Sequence, residues 1–253
     1  MDVMLILIKR EISIIMKNFS SYLFFIFIFP ILLYLFLVTP FQILLRPSSG
    51  MNYLYHGLPA ILFLSTLIIS FGFPLLVSQR DRYQGKYFYF LLSLNINNYS
   101  YTGYIILISL LISYIQFIVS LFLVFQLSGD IIITWKQLIY FVIIIFPSSL
   151  LFILLGLFFS NFIKTTYSLI MTLIFLFSFL TFGIGSFIPI EYFPGNYKYV
   201  TETYNLVFHL YDMFIKVFKS ENIHLGIPVS AIFISFLLYV LNIIIFSKKT
   251  SQY

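Results

Sequence analysis

Six stretches of this chain contain no charged residue, and each is at least 26 residues long. They separate Lys17 from Arg46, Arg46 from Arg80, Lys86 from Asp130, Lys136 from Lys164, Lys164 from Glu191, and Glu221 from Lys248. About 20 apolar residues in a helix cross the hydrocarbon core of a bilayer, so each stretch holds one crossing. The stretch after Lys86 is the longest, but Leu94–Gly103, "LNINNYSYTG", is polar and turn-rich, which leaves Tyr104–Leu127 as the membrane run. The expected fold is an all-α integral membrane protein, one transmembrane domain over 1–253. Its spans fall at about 19–40, 57–78, 104–127, 138–160, 167–189 and 227–246.

Composition agrees with that reading and removes several functions. Charged residues make up 9% of the chain and hydrophobic ones 61%, against roughly a quarter charged in soluble domains. The absence of cysteine excludes a disulfide framework, a thiolate metal site and a cysteine nucleophile. No acid falls inside a predicted span, and neither H-x-x-x-H nor H-E-x-x-H occurs. His56, His209 and His224 fall near the outer interface, where they are expected to be solvated. No catalytic group and no metal site is therefore expected. Intramembrane ionisable residues mark proton relays and ion sites, and their absence argues against a proton- or sodium-driven carrier. A secondary carrier would also show interrupted helices in corresponding halves, whereas only the fifth span is broken by Gly and Pro. An intramembrane lipid-metabolising enzyme would show clustered Asp, His or Ser-Lys groups, and there is none. The polar groups inside spans that could touch a cargo are Gln116, Thr172, Ser178 and Thr181; Asn242 is a further one of the kind that ties helices together. An uncharged, aromatic path suits an amphipathic, lipid-linked or drug-like cargo. Nothing points to nucleic acid.

Lys and Arg set the orientation. With both termini cytoplasmic, the inner side carries nine basic and three acidic residues and the outer side five of each. Residues 1–18 do not form a signal peptide, because the apolar run Val3–Ile8 is short and its charges follow it. As a helix they place Arg10, Ser13 and Lys17 on one face, which suits an element lying in the inner interface against membrane lipids. The densest charge lies in "LVSQRDRYQGKYFYFLLSL", between spans two and three, with Arg80, Asp81, Arg82 and Lys86. Its "GK" is not a phosphate-binding loop: Arg80 stands where that motif needs its first glycine, Tyr87 where it needs Ser or Thr, and no strand precedes it. A short amphipathic cytoplasmic element remains. On the outer side, Pro189, Pro194 and Gly195 break the chain before a second apolar run, Tyr204–Val217, with Asp212 and Lys216 at i, i+4. A short helix is expected there, lying against the outer face or dipping in as a lid.

The opening "ILIKREISIIMKNFSSYLFFIFIFPILLYLFL" resembles that of permease subunits of the type-2 exporter (ABC-2) family of ABC transporters, with Arg10, Lys17 and Pro30 at the family's places. After span two the family has a charged stretch, a glycine and leucines. Here "RDRYQGKYFYFLLSLNINN" keeps the charge pair and Gly85, with Asp81 for Glu, Lys86 for Thr, and Asn97–Asn98 where the family commonly has a proline. Gly183, Gly185, Pro189 and Pro194 match the family's break after span five, and Lys248 and Lys249 its basic ending. The resemblance implies a membrane subunit of an inner-membrane exporter that pairs with a second permease subunit, as a homodimer, and with two ATPase subunits that bind the ATP and magnesium. It implies that Arg80, Asp81, Arg82, Tyr83, Gly85 and Lys86 form the coupling helix seated in the ATPase. It also implies that Arg10 and Lys17 belong to the interfacial helix, and that this chain carries no ATPase site or cofactor.

Overall fold

The computed structural model describes residues 3–44, 53–83, 98–128, 133–221 and 223–250. Among them there is no strand, and six helices are long and apolar enough to cross a membrane. We number these span 1 (Phe19–Leu44), span 2 (Leu54–Asp81), span 3 (Tyr99–Leu127), span 4 (Trp135–Ser160), span 5 (Thr166–Gly183) and span 6 (Gly226–Phe246). A shorter helix, Val3–Lys17, precedes them, and two more, Gly195–Tyr204 and Leu206–Phe218, lie between spans 5 and 6. The all-α, six-span architecture expected from the charge-free runs is what the chain forms.

Two boundaries differ from the sequence reading. The helix of span 3 begins at Asn98, within the stretch read as a turn. Its polar start is stabilised by tertiary packing: Tyr101 is buried and stacks on Phe246 with ring centroids 4.9 Å apart, and Thr102 is buried beside it. Local turn chemistry yields when the side chains find partners. Span 5, in contrast, stops short. Gly185 takes φ 72°, in the left-handed region open to glycine, and Pro189 follows, so the chain is not helical from Ile184 to Pro189.

Span 2 is the axis of the bundle. In its most apolar window 89% of residues are buried, against 17% in span 1, 22% in span 5 and 17% in span 6. It packs closest on span 4, where Gly156 makes the approach possible: a Cβ there would sit 2.4 Å from the Phe71 carbonyl oxygen. Small residues at membrane-helix contacts let backbones approach and make dispersion the main attraction. Buried hydroxyls add links, with Ser78 and Ser160 Oγ atoms 2.9 Å apart, and Ser70 and Ser113 2.8 Å apart. On the far side of span 4, Asn242 of span 6 donates to the Leu154 carbonyl at 3.0 Å.

Span 1 is interrupted twice. Pro30 stands inside its first helical part, and Tyr34–Val38 forms a wide π turn in which the Thr39 N–H reaches back to the Tyr34 carbonyl. Pro40 follows at once. A proline ring collides with the carbonyl four residues earlier and offers it no donor, and the extra residue in the turn relieves that collision.

The helix Leu206–Phe218 is no loose cover. Asn205 caps its start, accepting from Val207 N and Phe208 N. Its apolar face, Leu210, Tyr211, Met213, Phe214 and Val217, is buried. Phe214 lies 5.7 Å from Phe63 of span 2, 6.3 Å from Phe117 of span 3 and 4.6 Å from Phe141 of span 4, centroid to centroid. Asp212 and Lys216 form their ion pair at 2.6 Å on the opposite, half-exposed face. The helix thus plugs the mouth between three spans.

Candidate functional site

In a chain this poor in charge, the strongest electrostatic feature among the described residues is a cluster at the end of the bundle where the N-terminal helix lies. Arg10 and Glu11 come from that helix, Arg80 and Asp81 from the last turn of span 2, and Tyr104 from span 3. Arg80 grips Glu11 in a fork, Nη2 to Oε2 at 2.6 Å and Nη1 to Oε1 at 3.1 Å. Asp81 Oδ2 accepts from Arg10 Nη2 at 2.8 Å and from the Tyr104 hydroxyl at 2.7 Å, while its Oδ1 faces Arg80 at 3.2 Å. Arg10 also reaches the Tyr104 oxygen at 3.2 Å. Glu11 and Asp81 are fully buried, and Arg10 and Arg80 nearly so, at 15% and 18% side-chain exposure. Burial opposes the charge on Arg10, yet Asp81 and Tyr104 together outweigh it and raise the guanidinium pKa above its ordinary value.

The cluster is neutral as a whole: two guanidinium groups face two carboxylates. Buried ions are tolerated when opposite charges and hydrogen bonds replace their hydration, and bidentate Arg–carboxylate pairs do this with a defined geometry. Chemically the arrangement holds no nucleophile and no open coordination position. What it can do is fasten. It locks the N-terminal helix to the root of residues 84–97 and to the first turns of span 3.

The residues singled out in the sequence divide accordingly. Arg10, Arg80 and Asp81 come together, but facing inward, so the exposure expected of Arg80 and Asp81 on a docking face is not found. Arg10 likewise points to the protein. Lys9, Ser13 and Lys17 keep the exposed polar side of the helix, next to an exposed apolar row of Leu5, Ile12 and Met16. Arg82 and Tyr83 continue the helix of span 2, and Gly85 and Lys86 lie outside the described residues. Gln116 is buried between spans 1, 2 and 3. Thr172 and Thr181 donate to carbonyls of their own helix, Ser168 and Phe177, each at 2.7 Å, and Ser178 is exposed on span 5. Gln116 stands on span 3 and the other three on span 5, and among the described residues no hydrogen bond joins it to them. Glu11 and Tyr104 went unnoticed in the sequence. The available signal was a pair of opposite-sign doublets, Arg10-Glu11 and Arg80-Asp81, in a chain with so few charges.

The opposite end has its own polar construction. The broken segment after span 5 leaves a row of carbonyls without helical donors, and side chains supply them. Tyr197 donates to Gly183 O at 2.6 Å, His56 Nε2 lies 3.0 Å from Gly185 O, Tyr211 donates to Ser186 O at 2.8 Å, and Tyr53 donates to Phe187 O at 2.7 Å. Tyr211 also reaches His56 O at 3.0 Å. Irregular backbone within a membrane protein persists where it is enclosed and hydrogen-bonded in this way. Burial pushes the Tyr53 and Tyr211 phenols above the ordinary tyrosine range, so both stay neutral donors. His56 is bonded into this clasp instead of being solvated, a correction to the sequence reading.

A bundle of six membrane-length helices, with an N-terminal helix clamped at one end and the helix Leu206–Phe218 packed into the other, defines the fold of a multi-pass membrane protein. The family comparison makes the class specific. The family model described as ABC-2 type transporter matches residues 3–219, from the N-terminal helix through the plug helix, and the chain belongs to that family. No match was found among curated proteins or solved structures. Membership makes the chain a multi-pass membrane subunit of an ABC transporter, a transport domain not itself catalytic, and implies ATPase subunits as its partners.

Proposed function

We propose that this chain is the permease of an ATP-driven exporter, oriented with both termini in the cytoplasm of a cell whose inner membrane it crosses. It works as a homodimer with two separate ATPase subunits, which bind the ATP and magnesium. The observation that carries the reading is the five-residue cluster. It sits at the root of residues 82–97, which the positive-inside rule assigns to the cytoplasm. A force delivered there acts on the end of span 2, and the Arg80–Glu11 and Asp81–Arg10 pairs pass it to the N-terminal helix, with Tyr104 passing it to span 3. Docking itself falls to residues outside the cluster: Arg82, Tyr83, Gly85 and Lys86. Lys9 and Lys17, with Leu5, Ile12 and Met16 alongside, seat the N-terminal helix at anionic headgroups. The uncharged, aromatic interior favours an amphipathic or lipid-linked cargo.

The test is co-purification with an ATPase encoded beside this chain, followed by a screen of ligands for stimulated ATP hydrolysis. Arg82→Glu with Lys86→Glu should abolish co-purification or stimulation while leaving the unfolding midpoint of the permease unchanged. Wild-type binding and coupled turnover in that double variant would refute docking at this element.

A further inference from the structure

Span 1 is enclosed by the rest of the chain at few places. Near its outer end Val38 is fully buried against Gly57, where a Cβ would lie 3.1 Å from Val38 Cγ1. At its other end the charge cluster holds the helix that precedes it. Between the two stands Pro30, which has no N–H, so the carbonyl of Ile26 loses its helical donor in a stretch surrounded by hydrocarbon. Gln116 of span 3 replaces that donor. Its Nε2 donates to Ile26 O at 3.2 Å and to Ser120 Oγ at 2.9 Å. The Ser120 and Ser65 hydroxyls are 2.9 Å apart, and Ser65 donates onward to Leu62 O at 3.3 Å. A chain of hydrogen bonds thus runs from span 1 through span 3 to span 2.

The amide can point only one way, because turning it over would set Oε1 against the Ile26 oxygen. In the orientation it takes, Oε1 is buried and has no partner among the described residues. Leucine would fill the same space without a buried, unpaired acceptor, which is unfavourable in a membrane interior. What leucine lacks is the donor. The position is therefore explained by the bond to Ile26 and not by polarity in general. With its side chain fully buried, Gln116 also does not line a path for cargo.

We propose that Gln116 is a positioning residue for span 1. It stands in for the missing N–H of Pro30 and fixes the tilt of span 1 against span 3 by a single side-chain bond, which can break and re-form without unwinding a helix.

The proposal is tested on the purified full-length chain with a double-mutant cycle. In Pro30→Ala the restored N–H meets Ile26 O directly, so the Gln116 donor becomes redundant. Gln116→Leu alone should lower the folded-to-unfolded ratio in SDS titration about three- to tenfold, the size of an interhelical hydrogen bond in a membrane. It should also broaden the distance distribution between spin labels at Ser20 and Phe162, both exposed positions in a chain without cysteine. In the Pro30→Ala background the same substitution should change neither quantity, and a second measurement follows the side-chain amide. The Gln116 amide protons, observed in glutamine-labelled protein, should exchange faster in Pro30→Ala than in the parent. Equal losses from Gln116→Leu in both backgrounds would overturn the proposal. If Pro30→Ala does not fold, the Gln116→Leu distance distribution decides alone: an unchanged width refutes the positioning role.

Discussion

The two ends of this bundle solve one problem with opposite chemistry. Each must hold a short helix that does not cross the membrane. The end with the N-terminal helix uses full charges, Arg10, Glu11, Arg80 and Asp81, with one phenol from Tyr104. The other uses neutral donors, Tyr53, His56, Tyr197 and Tyr211, against backbone carbonyls, plus the ring cluster around Phe214. Carbonyls and hydroxyls lose modest free energy when separated, and aromatic packing resists sliding in any direction. Charges interact strongly, but only in a narrow geometry. The neutral end is suited to staying shut as one body. The charged end is suited to transmitting a displacement, since its partners must move together or separate at large energy.

The comparison can be broken most directly at Asp81. Asp81→Asn removes one charge and leaves Arg10 facing Tyr104 without its carboxylate. Removing one partner of a buried pair costs about 3–5 kcal/mol, and that loss should appear in SDS unfolding. A cysteine at Leu7, buried in the parent, should become open to thiol reagents as the N-terminal helix detaches. Adding Arg10→Met should recover part of the stability, because an apolar replacement leaves no unpaired ion. Lack of any recovery would mean that the cluster is not a set of paired charges.

At the neutral end, Tyr211→Phe strips the donor from Ser186 O and His56 O while keeping the ring. Buried polar groups left unpaired cost about 1–3 kcal/mol, so the unfolding midpoint should fall by less than for Asp81→Asn. Co-purification with the ATPase should be untouched. Loss of that association would show the two ends to be linked more tightly than their chemistry implies. The smallest effect belongs to Asp212→Asn. The Asp212–Lys216 pair is short, but both side chains are more than a third exposed, and such helix pairs are worth about 0.2–0.5 kcal/mol. A loss above about 1 kcal/mol in that variant would mean that burial does not govern the value of ion pairs here.

How much of this was legible beforehand follows the same physics. Charges are excluded from hydrocarbon wherever the chain folds, so the charge-free runs located the six spans from sequence alone. The helix over Leu206–Phe218 and its Asp212–Lys216 pair were equally plain, because both depend on spacing along one helix. Its depth was not, since burial of Phe214 depends on Phe63, Phe117 and Phe141 from three other spans. The polar stretch Asn98–Gly103 misled, because the partner that makes it helical, Phe246, lies almost at the other end of the chain. His56 misled in the same way: its acceptor is a carbonyl created by the break at Gly185, and no residue type announces a bare carbonyl. The Arg80 region was recognised as special, but its inward direction was hidden because Glu11 and Arg80 are 69 residues apart.

That separation has a consequence for synthesis. Arg10 and Glu11 leave the ribosome before either partner on span 2 exists. At roughly 5–20 residues per second, the wait for Arg80 and Asp81 lasts several seconds, and Tyr104 comes later still. Throughout that interval the N-terminal helix lacks its charged partners, and its row of Leu5, Ile12 and Met16 is exposed even in the finished fold. Its seat is completed only when the second crossing is in the bilayer and the third has begun. A nascent chain whose second span entered in another register would not bring Arg80 and Asp81 to Arg10 and Glu11.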